Sequence, residues 1–168
     1  MIRNAQYWID HLQLLKHPEG GHFKEVYRSN EFVNKKSLPD RYTSFRSFSS
    51  SIYFLLQSNE FSAFHRLKSD EIWHFYEGKT ITIIAISPNG TLSKTYIGNN
   101  PEKGERLQLL IPKGFWFAAS VNDSDSFSLV GCTVSPGFDF EDFEMGKKSD
   151  LEKRFPQHIE IISKYTIL

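Results

Sequence analysis

The chain has 168 residues, 39% hydrophobic and 15% aromatic with 15 Phe, and 20 basic against 20 acidic side chains. One domain of this length, 1–168, buries about two thirds of its unfolded surface, and zero formal charge without a basic run excludes a nucleic-acid or anionic-membrane footprint. A lone Cys132 excludes an internal disulfide, and no apolar run reaches the ~20 residues of a membrane helix. The opening residues lack the apolar core of a signal peptide, so a cytoplasmic chain is expected.

Asn4 is placed to cap a helix carrying Ala5, Trp8, Ile9, Leu12 and Leu15 on one stripe. His17-Pro18-Glu19-Gly20-Gly21 stops it and forms a loop able to take positive φ. His22 to Arg28 reads as a strand with Phe23, Glu25 and Tyr27 opposite Lys24, Val26 and Arg28. Ser29 to Ser49 is a long polar, irregular connection, of the kind that forms lids or partner contacts. Strands are then expected at Ile52–Leu56, around His65 and Glu71, and at Thr80–Ile86, Thr91–Ile97, Arg106–Ile111, Phe115–Ser120 and Phe127–Val134, with Asn89-Gly90 as a hairpin turn. Phe138 to Phe143 alternates rings and acids like an edge segment that packs the first and solvates the second. Ser149-x-x-Glu152 has the form of a capping box for a C-terminal helix, which Pro156 breaks.

The centre of this pattern is Phe61 to Gly78, two short strands about a Lys68-Ser69-Asp70 turn. Alternation puts Ala63, His65 and Leu67 on one face of the first strand and Glu71, Trp73 and Phe75 on one face of the second. An imidazole and a carboxylate are thereby expected in one aromatic cavity, walled by Trp73, Phe115 and Phe117. Glu19 is expected either at the cavity mouth or as a turn cap, and Cys132 as an inert buried thiol.

The spacing His65, Glu71, Gly78 and the run Pro112-Lys113-Gly114-Phe115-Trp116-Phe117 resemble the two cupin motifs. Leu67 and Phe117 stand where that pattern has further histidines. The stretches His17–Gly21, Phe64-His65-Arg66, Ser69–Phe75 and Gly131–Phe143 are similar to a branch of small single-domain cupins of unassigned activity. The resemblance implies an all-β, double-stranded β-helix (jelly roll) with an N-terminal helix and short C-terminal helices, and a homodimer. Cupins commonly hold a divalent metal with three imidazoles and a carboxylate. With two of those positions apolar, no metal or other cofactor is expected; a metal, if bound, would need His74 beside His65 and Glu71.

Metal-free cupins such as deoxysugar-nucleotide epimerases pair a histidine dyad with a tyrosine acid. By that analogy His65 is the base, Glu71 its partner and Tyr53 the acid, with Arg28 and Arg66 for an anionic group. The reading is a metal-independent isomerase or epimerase for a small polar, carbohydrate-like molecule. The alternatives are a non-catalytic binding module for an apolar or amphipathic ligand, and a metal-dependent oxygenase or isomerase.

Overall fold

In the computed structural model, which describes residues 3–167, short antiparallel strands dominate. Strands β1 (Leu15–Lys16), β2 (His22–Arg28), β3 (Phe32–Val33), β4 (Arg46–Ser47), β5 (Ser50–Gln57), β6 (Ser62–Leu67) and β7 (Asp70–Gly78) follow helix α1 (Ala5–Leu12). Strands β8 (Ile81–Ile86), β9 (Leu92–Ile97), β10 (Gln108–Ile111), β11 (Trp116–Val121), β12 (Phe127–Ser135) and β13 (Phe143–Met145) precede α2 (Lys148–Arg154) and α3 (Ile159–Lys164). A six-stranded sheet, β1-β2-β5-β12-β7-β10, faces a five-stranded one, β13-β6-β11-β8-β9, and β3 pairs β4 in a small arm. This is a double-stranded β-helix. Among the described residues no helix is long and apolar enough to cross a membrane.

Side-chain alternation explains how each strand serves two layers. Ile81 and Ile83 of β8 join Phe54, Leu56, Trp73, Phe117 and Val130 in the core between the sheets. Ile84 and Ile86 turn outward and meet Leu151, Phe155 and Ile162 of the C-terminal segment, with Phe64 and Trp116. The run Ile81-Thr82-Ile83-Ile84-Ala85-Ile86 is nearly all apolar because both of its faces are covered. On the far side, Trp8, Ile9 and Leu12 of α1 cover Leu14, Leu55 and Leu129.

Several local expectations change. Asn4 caps α1 by accepting from the Tyr7 N–H at 2.9 Å, but Gln13 takes a left-handed conformation. The chain turns there, so Leu14 is buried in place of Leu15, which is 68% exposed. Ser149 lies inside α2, whose cap is Lys147 without a side-chain bond, so there is no capping box. Ser29–Ser49 is not a loose lid: Tyr42 and Arg46 are buried within it. The Arg46 guanidinium makes two bonds to Asp142, 2.6 and 2.7 Å, and stacks over Tyr42. That fork ties the β3–β4 arm to the Phe138–Phe143 segment, so Asp142 is a buried ion-pair partner and not a solvated edge acid.

Strand β2 contains a bulge. Glu25 pairs with Ile52 and Tyr27 with Ser51, leaving Val26 as the extra residue. The slip places Arg28, in place of Tyr27, with Phe23 and Glu25 on the inward face.

Candidate functional site

The gap between the sheets is filled at one end by Ile81, Ile97, Ala119 and Val121 and left open at the other. The open end is a cavity of about 260 Å³, slightly below the usual range for drug-sized ligands. Six aromatic side chains line it: Phe23, Phe54, Trp73, Phe138, Phe140 and Phe143. Its polar groups are His17, Glu19, Glu25, Arg28, Ser50, His65, Glu71, Cys132 and Asp139.

Glu19 reaches the interior from a loop. The Gly20 φ of +110° and Gly21 φ of +73° turn the chain back on itself. The loop is pinned by His17 N–H to Gly21 O, Gly20 N–H to His17 O and Ala63 N–H to Glu19 O. The buried Glu19 Oε1 accepts from Ser62 Oγ at 2.8 Å. Its Oε2 lies 3.2 Å from His65 Nε2 and 3.4 Å from His17 Nδ1.

The proton inventory of this trio follows from its neighbours. A carbonyl only accepts, so His65 Nδ1, 2.7 Å from Ala63 O, carries its proton. His17 Nδ1 accepts the Glu19 backbone N–H at 3.3 Å and carries none. With neutral rings the His65 Nε2 lone pair faces Glu19 Oε2, so a proton must lie between Glu19 and His65. Burial raises the Glu19 pKa, against the opposing pull of His17 and Ser62. Burial likewise lowers His65, which the Ala63 carbonyl and Glu71 only partly counter. Both directions favour a neutral carboxylic acid donating to a neutral imidazole.

Glu71 extends from β7 into the same space. Its carboxyl is pushed up to about 7, first by burial, with His65 opposing and Glu19 adding to the rise. Trp73 and Cys132 flank it and lower it somewhat. Its Oε2 is buried with no hydrogen-bond partner among the described residues, and so is the Trp73 indole N–H. The Cys132 thiol is raised well above its ordinary value by burial and by Glu71 and Glu19, which leaves it protonated.

The structure thus gathers His65, Glu71, Glu19, Trp73 and Arg28 around one cavity. Other expected residues lie elsewhere. Tyr53 is on the outer face of β5, where it packs beneath α1 and edge-on to Tyr76, because Ser50, Ile52 and Phe54 are the inward residues of that strand. Arg66 points away from the cavity, bonded to Glu144 at 2.8 and 2.7 Å and stacked over Trp116. Phe117 is packed behind the imidazole, ring centroids 4.0 Å apart, and Phe115 packs on the core without lining the cavity. His74 faces outward and meets Thr133 Oγ1 at 3.1 Å, since β7 keeps strict alternation there. His17, Glu25, Asp139 and the rings of Phe138, Phe140 and Phe143 are cavity residues that sequence reasoning passed over; the signal for His17 was a histidine two residues before an acid that precedes paired glycines.

The donor set does not fit the usual cupin metal. Leu67 and the Phe117 ring occupy two of the four positions, His74 is outside, and His65 Nε2 is engaged by Glu19. Among the described residues no group of three or more His, Cys, Asp or Glu is arranged to hold a metal ion.

Comparison with known proteins agrees with this architecture. A crystal structure of protein SO0799 from Shewanella oneidensis is similar over 99% of both chains, at 42% identity and TM-score 0.89. A hypothetical protein from Leishmania major matches 99% of this chain and 100% of its own, at 35% identity and TM-score 0.89. The uncharacterised protein YML079W of Saccharomyces cerevisiae is 31% identical over 88% of this chain and 77% of its own length. More distant likeness shows the fold alone. Bacillus subtilis oxalate decarboxylase is 14% identical over 89% of this chain and 36% of its own, TM-score 0.55. A dTDP sugar isomerase from Desulfovibrio desulfuricans is 12% identical over 76% and 82%, TM-score 0.52. The family described as Cupin superfamily (DUF985) matches residues 6–146, and the chain belongs to it.

Proposed function

We propose that the cavity binds a small molecule, largely apolar with one polar end, and exchanges a proton with it through Glu71 without help from a metal. The observation that carries this is the Glu71 carboxyl itself: buried, unpartnered at Oε2, and held near a pKa of 7 against an aromatic wall. At neutral pH such a group is present as both acid and base, which suits an isomerase-type transfer. His65 is less suited to act as the base, because Ala63 O and Glu19 take both of its ring nitrogens. Its role is to hold Glu19 and to tune Glu71. A carbohydrate fits this lining less well, since the rings dominate it and Glu19, His65, Glu25 and Arg28 are already bonded to one another or to the backbone, leaving several hydroxyls short of partners.

The test begins with native mass spectrometry of the purified chain to identify a co-purified molecule. Solvent deuterium incorporation into that molecule is then followed with the wild type and with Glu71→Gln. Exchange that disappears in Glu71→Gln while binding persists supports the proposal. Binding without exchange in either protein favours the second reading, a non-catalytic binding module, for which the fully engaged His65 ring is the supporting observation. A homodimer, which the resemblance implies, is proposed to use the outer face of the six-stranded sheet, where Ile72, Tyr76 and Leu110 are exposed. Sedimentation of Ile72→Lys tests it; an unchanged mass distribution counts against that face.

A further inference from the structure

We infer that the molecule bound in this cavity is a cation, a small primary amine whose ammonium group meets Glu71 and whose apolar body lies among the aromatic rings. The inference rests on the reading of the cavity as a ligand site and adds the charge of its occupant.

The balance of lining groups carries it. Four carboxyl groups, Glu19, Glu25, Glu71 and Asp139, face the space against one permanent cation, Arg28; with Glu19 neutral and Glu25 paired to Arg28, the anionic excess rests on Glu71 and Asp139. That cation is already committed. Its Nε and Nη2 donate to the two Glu25 oxygens at 3.0 and 2.6 Å, and its Nη1 donates to Phe138 O at 2.8 Å and Ser47 Oγ at 3.3 Å. An entering carboxylate or phosphate would have to break this fork, and deeper in it would meet acids and imidazoles, with the Trp73 indole N–H and the Cys132 thiol as neutral donors and no second permanent cation. An ammonium group has three donors and no acceptor, matching a carboxylate that only accepts. Among the described residues that line the cavity, Glu71 Oε2 is a buried oxygen left without a donor. Ring faces add attraction for a cation near Trp73 and the surrounding Phe side chains.

Binding an ammonium sends the Glu71 proton to solvent. The titratable groups acting on Glu71 are His65 on β6, Glu19 on the loop and Cys132 on β12, and His17, Glu25, Arg28 and Asp139 share its cavity. The trio of Glu19, His17 and His65 is satisfied internally as a neutral acid with neutral rings, which leaves Glu71 as the group that answers the ligand. Affinity for an amine accordingly rises between pH 6 and 8, whereas affinity for an uncharged analogue stays flat.

The experiment is calorimetric titration of the full chain at pH 8 with three probes of similar body: 2-phenylethylamine, 2-phenylethanol and 3-phenylpropanoate. The amine is expected to bind at least tenfold tighter than the alcohol, and the carboxylate weakest. Glu71→Gln is expected to weaken the amine at least tenfold and the alcohol less than threefold; if that variant does not fold, the ranking on the wild type decides. Ile52→Trp, which fills the cavity, is expected to abolish all binding, and amine binding that survives it overturns the assignment. An amine no tighter than the alcohol, or a carboxylate as tight as the amine, overturns the charge of the occupant. If Ile52→Trp removes that binding, the ligand site itself stands. Heat from none of the three probes overturns the charge assignment and counts against the ligand site as well.

Discussion

Replacing Glu71 by glutamine keeps the side chain's shape and removes its titration, which isolates what an acid costs at this position. The carboxyl moves from an ordinary 4.5 to about 7 on folding, a difference of about 3 kcal/mol between its two protonation states. A raised acid means the folded chain binds more protons than the unfolded one between those values. Stability from this group is therefore lost as pH climbs through the window, and the penalty is complete above pH 7. The lowered histidines, His17, His22 and His65, act with the opposite sign below pH 6.5 and are present in both proteins. Urea unfolding followed by tryptophan fluorescence at pH 5, 6, 7 and 8.5 measures the wild type against Glu71→Gln. The stability difference between them should shift by about 2.5 kcal/mol in favour of glutamine from pH 5 to 8.5, since part of the loss lies below pH 5. In melting temperature that is about 5–10 °C for a chain of this size. A difference that stays flat within about 0.5 kcal/mol, well under the linkage value, would refute a buried, proton-holding carboxyl.

Three further outcomes follow from the geometry. Arg46→Met leaves Asp142 buried without its fork and should cost about 3–5 kcal/mol by urea unfolding, most of it recovered in the double variant Arg46→Met/Asp142→Leu. Gly20→Ala drives a Cβ into Phe61 O at a φ of +110° and should cost at least about 2 kcal/mol; a neutral result would mean the Glu19 loop is not held as described. Tyr53→Phe, on the far face of β5, should leave probe affinity in the cavity within about twofold, well below the cost of a lost ligand hydrogen bond, and a larger loss would place the phenol in the site.

Strand alternation made the inward faces of β6 and β7 readable from the chain, which is why His65, Glu71 and Trp73 meet in one place. It could not orient β5. Both faces of that strand are apolar because α1 covers one and the core the other, so Tyr53 and Phe54 were equally good candidates by pattern. Glu19 enters from a loop, where no period applies, and only its paired glycines marked a fold-back. The rings of Phe138, Phe140 and Phe143 wall the cavity because the β3–β4 arm fastens their segment through Arg46 and Asp142, a contact 96 residues apart in the chain. Local reading of an alternating acid-aromatic stretch has no access to so distant a partner.

The slip at Val26 has a use beyond geometry. Were β2 to run without it, the phenol of Tyr27 would swing in and the guanidinium of Arg28 out, with no letter of the sequence altered. Which side chain of β2 lines the cavity is set by counting residues along one strand. Inserting a single residue between Tyr27 and Arg28 would turn the guanidinium outward while leaving Glu19, His65 and Glu71 in place.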